Sequence, residues 1–72
     1  MDNSFNTEQL NNVKKLREAR MLSKAELARL AGISPLTLDR IEKGKACRIA
    51  TQRRIVLALG LKTTEKHRVF GQ

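Results

Sequence analysis

Apolar residues recur along the 72-residue chain at spacings of three and four, and the alternation of a half-buried strand is absent. Gly32, Gly44 and Gly60 each follow such a stretch, where a helix can end in a left-handed residue. The pattern predicts short helices punctuated by glycine. The first runs from about Thr7 to Arg20, capped by Asn6 or Thr7, with Leu10, Val13, Leu16 and Ala19 as its buried stripe. The second opens at Ser23, because Ser23-Lys24-Ala25-Glu26 has the form of a capping box. Leu27, Ala28, Leu30 and Ala31 are its apolar side. Ser34-Pro35 then pairs a strong N-cap with a residue suited to the first helical position. The third helix continues to Gly44 with Leu38 and Ile41 inward and Ile33 plugging the corner before it. Its opposite side presents Leu36, Thr37, Arg40 and Lys43. A fourth helix spans Thr51 to Leu59. A last turn from Thr64 to Phe70, capped by Thr64, brings Val69 and Phe70 to close the core.

Charge adds a partner to this picture. The chain has 15 basic and 7 acidic residues, a net charge of +8. Residues 1–10 carry Asp2 and Glu8 and no cation, so removing that −2 from the +8 leaves +10 on residues 11–72. A small body so charged expects a polyanion, and nucleic acid is the default. The two phenylalanines, with no Tyr or Trp, argue against the aromatic platforms on which single strands stack. Duplex DNA needs no such platform.

Several classes drop out. The single Cys47 excludes an intramolecular disulfide framework, and with the lone His67 it makes no zinc site, so no metal or cofactor is expected. No apolar run approaches the roughly 18–20 residues of a membrane span. The polar, acidic start is unlike a secretory signal, and a cytoplasmic location is expected. Short helices offer little concavity and no nucleophile–base pattern, so an enzyme is not expected. No linker, repeat or low-complexity tract divides residues 1–72, which reads as one domain with a short arm over residues 1–6.

The most informative stretch is SKAELARLAGISPLTLDRIEKG, residues 23–44, in which two short helices meet at Gly32-Ile33-Ser34 with small Ala28 where their axes approach. This is the spacing of a helix-turn-helix unit. With Leu16-Arg17-Glu18-Ala19-Arg20, Leu22-Ser23, Glu26-Leu27-Ala28, Ile41-Glu42-Lys43-Gly44 and Ala58-Leu59-Gly60-Leu61, the chain resembles the Xre-family regulators of the Cro and lambdoid-repressor type over residues 12–61. The resemblance implies an all-α, compact four- to five-helix bundle whose third helix lies in the major groove of double-stranded DNA.

Residue by residue, it places Pro35, Leu36, Thr37 and Arg40 at the base-contacting positions. Pro35 and Leu36 suit a thymine methyl, and Arg40 suits the O6 and N7 acceptors of guanine. Phosphate contacts are expected from Arg17, Ser23, Lys24, Ser34, Lys43, Lys45, Arg48 and Arg53. Arg17 and Glu42 are expected to form a structural ion pair, and Met21 stands where the family often carries Gly in the first turn. One helix reads only about four or five base pairs, so a homodimer on a pseudo-palindromic operator is expected. Its interface is expected within residues 56–72, at Val56, Leu57 or Phe70 if exposed. No small-molecule effector is expected. Two other readings stand beside regulation of transcription: an antitoxin-type protein that binds a protein partner as well as DNA, and a nonspecific nucleoid-type binder. The antitoxin reading needs an exposed apolar patch, for which the short tails leave little length.

Overall fold

A computed structural model of the chain describes residues 11–71. Helix α1 spans Val13–Ala19, α2 Lys24–Ala31, α3 Pro35–Glu42 and α4 Ile49–Ala58. A short 3-10 turn, Thr63–Glu65, leads into α5, Lys66–Phe70. Helices α2, α3 and α4 form the centre, and α1 and α5 close one side by packing on each other, on α3 and on α4. Val13, Leu27, Ala28, Ala31, Leu38, Ile41, Ile55, Val56, Leu59, Leu61 and Val69 make one continuous core, with Leu16, Leu22, Ile33 and Phe70 packed against it. The small side chains of Ala28 and Ala31 are both buried on α2, where α3 and α4 pack against it.

The caps act as their residue types dictate. Ser23 Oγ accepts from the Glu26 N–H at 3.0 Å, and Glu26 Oε1 accepts from the Ser23 N–H at 2.8 Å, so both halves of the capping box are made. Ser34 Oγ accepts from the Thr37 N–H at 3.0 Å, with Pro35 in the first turn. Four helices end in the same six-residue turn. Leu22 N–H donates to Arg17 O after α1, Ile33 to Ala28 O after α2, Lys45 to Arg40 O after α3 and Leu61 to Val56 O after α4. Each turn needs a left-handed residue. Gly32 supplies it at φ +73°, but after α1 the position is held by Met21 at φ +58°.

Several boundaries differ from expectation. Among the described residues α1 begins at Val13, and the expected run from Thr7 to Arg20 is broken at Asn11 and Asn12, which are not helical and are drawn into tertiary bonds. Asn12 N–H donates to Val69 O at 2.8 Å, Asn11 Nδ2 to Ile41 O at 2.8 Å, and Asn11 Oδ1 accepts from the Val13 N–H at 3.1 Å. The expected caps Asn6 and Thr7, the stripe residue Leu10 and the arm 1–6 lie outside the described residues. Ala19 and Leu30 are exposed, Leu30 by 60 %, because α1 turns Val13 and Arg17 inward and α2 only Leu27, Ala28 and Ala31. Helix α4 starts at Ile49 instead of Thr51. Thr64 does not cap the last turn: it lies inside the 3-10 turn, and Glu65 Oε1 accepts from the Lys62 N–H at 2.8 Å. Val56 is fully buried and is no interface residue, whereas Leu57 is exposed and Phe70 half-buried.

Two stability predictions follow from these positions. A left-handed non-glycine residue costs about 1–2 kcal/mol, part of which a glycine returns through unfolded-state entropy. Met21→Gly is therefore expected to stabilise the chain by about 0.5–1 kcal/mol in urea unfolding. Gln52 Oε1 is buried with no hydrogen-bond partner of good geometry among the described residues. Gln52→Met removes that orphan at similar volume and is expected to raise stability by about 1 kcal/mol, read from the same unfolding midpoint.

Candidate nucleic-acid interface

The sequence Leu38-x-x-Ile41 fixes which way α3 faces. Both side chains are buried, so the residues a half-turn away stand outward: Leu36 is 59 % exposed, and Arg40 and Lys43 are exposed beside it. Pro35 and Thr37 flank this ridge and are also exposed. The Ser34 hydroxyl donates to Thr37 Oγ1 at 2.8 Å while accepting from the Thr37 N–H, so it is engaged in the cap. Ser23 Oγ is engaged in its cap in the same way but keeps its own donor.

Behind the ridge, α3 is anchored by one ion pair. Arg17 Nε donates to Glu42 Oε2 at 2.7 Å and Nη2 to Oε1 at 3.3 Å, while Nη1 donates to Leu22 O at 2.9 Å. The two side chains are 9 % and 3 % exposed. The hydrogen bond to Glu42 raises the Arg17 pKa above its ordinary value, against the opposing effect of burial. With its guanidinium spent on Glu42 and the Leu22 carbonyl, Arg17 does not stand on the surface as a phosphate contact. Its expected contact is corrected to a role in holding α3.

A second cluster was not foreseen. The Asp39 carboxylate on α3 accepts from Lys24 Nζ at the start of α2 through Oδ1, and from Lys43 Nζ through Oδ2 at 3.0 Å. Hydrogen bonds from Lys24, then from Lys43, push the Asp39 pKa down to about 2. The same contact raises that of Lys24. The Asp39-to-Lys43 spacing of four was a legible signal for one of these bonds. The bond to Lys24 depends on how α2 and α3 cross.

An open groove runs along the far end of α3, lined by Thr37, Arg40, Lys45, Arg48 and Thr51, with Cys47 and Ile41 deeper in. Burial pushes the Cys47 thiol pKa up, which disfavours the reactive thiolate. Helix α4 begins at this groove with no acidic residue in its first turn and no side-chain cap on Arg48, so its first N–H groups are open to an anion. Lys45, Arg48, Arg53 and Arg54 are exposed, which gives the rim of the groove and the start of α4 a uniform positive sign. Among the described residues no cluster of His, Cys, Asp or Glu is arranged to hold a metal ion, and no helix is long and apolar enough to cross a membrane.

Arg40 and Lys43 on the ridge, Lys24 beside it, and Lys45, Arg48 and Arg53 beyond it therefore occupy one continuous run of elements, α2 to α4. Arg17 is withdrawn from the surface, and the hydroxyls of Ser23 and Ser34 serve caps. No curated protein and no solved structure matches the chain. A family model described as helix-turn-helix matches residues 13–66, from the first residue of α1 to the first of α5. With two short capped helices meeting at a left-handed glycine, one outward ridge and that match over most of its length, the chain belongs to the helix-turn-helix family of Xre and lambda-repressor type, whose members are DNA-binding regulators of transcription.

Proposed function

We propose that the chain binds double-stranded DNA sequence-specifically as a repressor-like regulator, seating α3 in the major groove. The observation that carries this reading is the split of α3: Leu38 and Ile41 are inside, while Leu36, Arg40 and Lys43 are exposed on a strongly basic face. Arg40 is the guanine reader, since its guanidinium matches the two acceptors of that base. Leu36 and Pro35 take thymine methyl groups, and Thr37 reaches a base or an adjacent phosphate. Lys24, Lys43, Lys45, Arg48 and Arg53, with the Ser23 hydroxyl, contact phosphates and set register without reading sequence. Ser34 contributes through the N-terminus of α3 that it caps.

A single groove-seated helix carries too little information to address a genome, so the active species is a homodimer on a pseudo-palindromic operator in the cytoplasm. Leu57 on α4 and Phe70 on α5 are large apolar residues within 56–71 that are available for its interface.

Selection from a random duplex pool identifies the site. On the selected duplex, Arg40→Ala is expected to cost about 1–3 kcal/mol at one base pair and to leave the salt slope nearly unchanged. Lys45→Ala is expected to weaken all duplexes alike and to reduce the slope by about one. Identical behaviour of the two variants overturns this division of roles, and equal affinity for selected and scrambled duplexes favours the nucleoid-type reading. Sedimentation with the selected duplex is expected to show two chains bound on half-sites about one helical turn apart. One chain at saturation overturns the dimer.

A further inference from the structure

Asp39 is out of place on a surface otherwise suited to a polyanion. The other acidic side chains among the described residues lie elsewhere or have a visible structural task. Glu26 completes the cap of α2, Glu65 accepts from the Lys62 N–H, Glu42 neutralises Arg17, and Glu18 lies on α1, 4.0 Å from the Arg17 guanidinium. Asp39 closes no helix start and neutralises no buried charge. It is the fifth residue of α3, beyond the first turn where an acid would complement the helix dipole, and aspartate in a helix interior is a poor helix former. Its partners are Lys24 and Lys43, and both pairs are open to water, where ion pairs add little stability. It lies next to Arg40, on the flank of α3 that turns toward the start of α2.

The geometry points to Asp39 as a specificity-determining residue that acts as a brake on nonspecific binding, by holding the ammonium groups of Lys24 and Lys43 away from phosphate. This rests on the duplex-binding reading above and extends it. A lysine paired with a carboxylate brings no net charge to a passing phosphate backbone and displaces few counterions from it. With both carboxylate oxygens engaged, the cluster of one acid and two bases presents a single positive charge where two would otherwise stand. On a matched site, α3 seats deeply enough for phosphates to take both lysines from the carboxylate. On an unmatched duplex the exchange is incomplete, and the paired lysines contribute little. Asp39 thereby widens the gap between specific and nonspecific affinity without touching a base.

The test compares the 72-residue chain with its Asp39→Asn variant on two duplexes, a random sequence and the selected one, over a salt series. The variant keeps the shape of the side chain and removes its charge. Expected is about tenfold tighter binding of the random duplex at about 50 mM salt, a slope steeper by about one, and a smaller gain on the selected duplex. The same substitution in a Lys24→Gln, Lys43→Gln background is expected to yield a clearly smaller gain, that of relieving carboxylate–phosphate repulsion alone, because the lysines it would release are gone. Unchanged or weaker binding of the random duplex, equal gains on both duplexes, or a gain undiminished by loss of the lysines each overturns the brake. A wild-type chain that binds neither duplex at low salt overturns the duplex-binding reading itself. A wild-type chain that discriminates between them while Asp39→Asn behaves identically overturns the brake alone.

Discussion

The direction in which α3 points depends on the buried pairing of Arg17 with Glu42. Arg17 reaches from α1 to the last turn of α3 and, through Leu22 O, to the loop that starts α2, so one guanidinium ties three elements. A guanidinium offers donors in a rigid planar fork, and the carboxylate and the carbonyl meet that fork from two sides. Such a pair is worth little against a well-packed apolar replacement, but losing one partner strands a buried charge at a cost of about 3–5 kcal/mol. For a domain whose total stability is about 5–15 kcal/mol, that asymmetry holds the arrangement in place. The interaction acts on orientation more than on stability, and orientation is what a groove-seated helix requires.

Around that anchor the charges divide by task. Acids close helix starts or neutralise Arg17, while basic residues gather from the start of α2, along α3, to the start of α4. The N-terminus of α4 joins them because nothing caps it. Asp39 is the exception within this division. On the proposed reading, a carboxylate placed between two lysines on the basic side lowers the gain from phosphate contact more on an unmatched duplex than on a matched one. Affinity for DNA is inexpensive for a chain of this charge, and discrimination is the scarcer property.

Much of the fold was legible because its signals are local. The capping box at Ser23, the Ser34-Pro35 start and the glycine after Ala31 concern groups three or four residues apart, and each appears where the residues place it. The side assignment of α3 was equally readable, since Leu38 and Ile41 allow one inward face. Errors gathered where local signals met tertiary bonds. Asn11 and Asn12 read as part of a helix, yet their side chains are claimed by Ile41 and Arg68 and the Asn12 N–H by Val69. Leu30 fits an apolar stripe by spacing, but α3 and α4 cover only the faces of α2 that carry Leu27, Ala28 and Ala31. Met21 keeps the turn after α1 left-handed without glycine, because the bond from Leu22 N–H to Arg17 O and the pairing of Arg17 behind it constrain that turn.

By itself, then, the order of residues determined that the chain is helical, the capped starts of α2 and α3, the corner between them, and the sign of the surface, because caps, periodicity and charge are properties of near neighbours. The tertiary structure alone decided that Arg17 is withdrawn from the surface, that Val56 is inside and Leu57 outside, and that Lys24 meets Asp39 across two helices. Those facts depend on the angles and rotations at which short helices pack. Packing angles are set jointly by every side chain at the contact, so no local stretch encodes them.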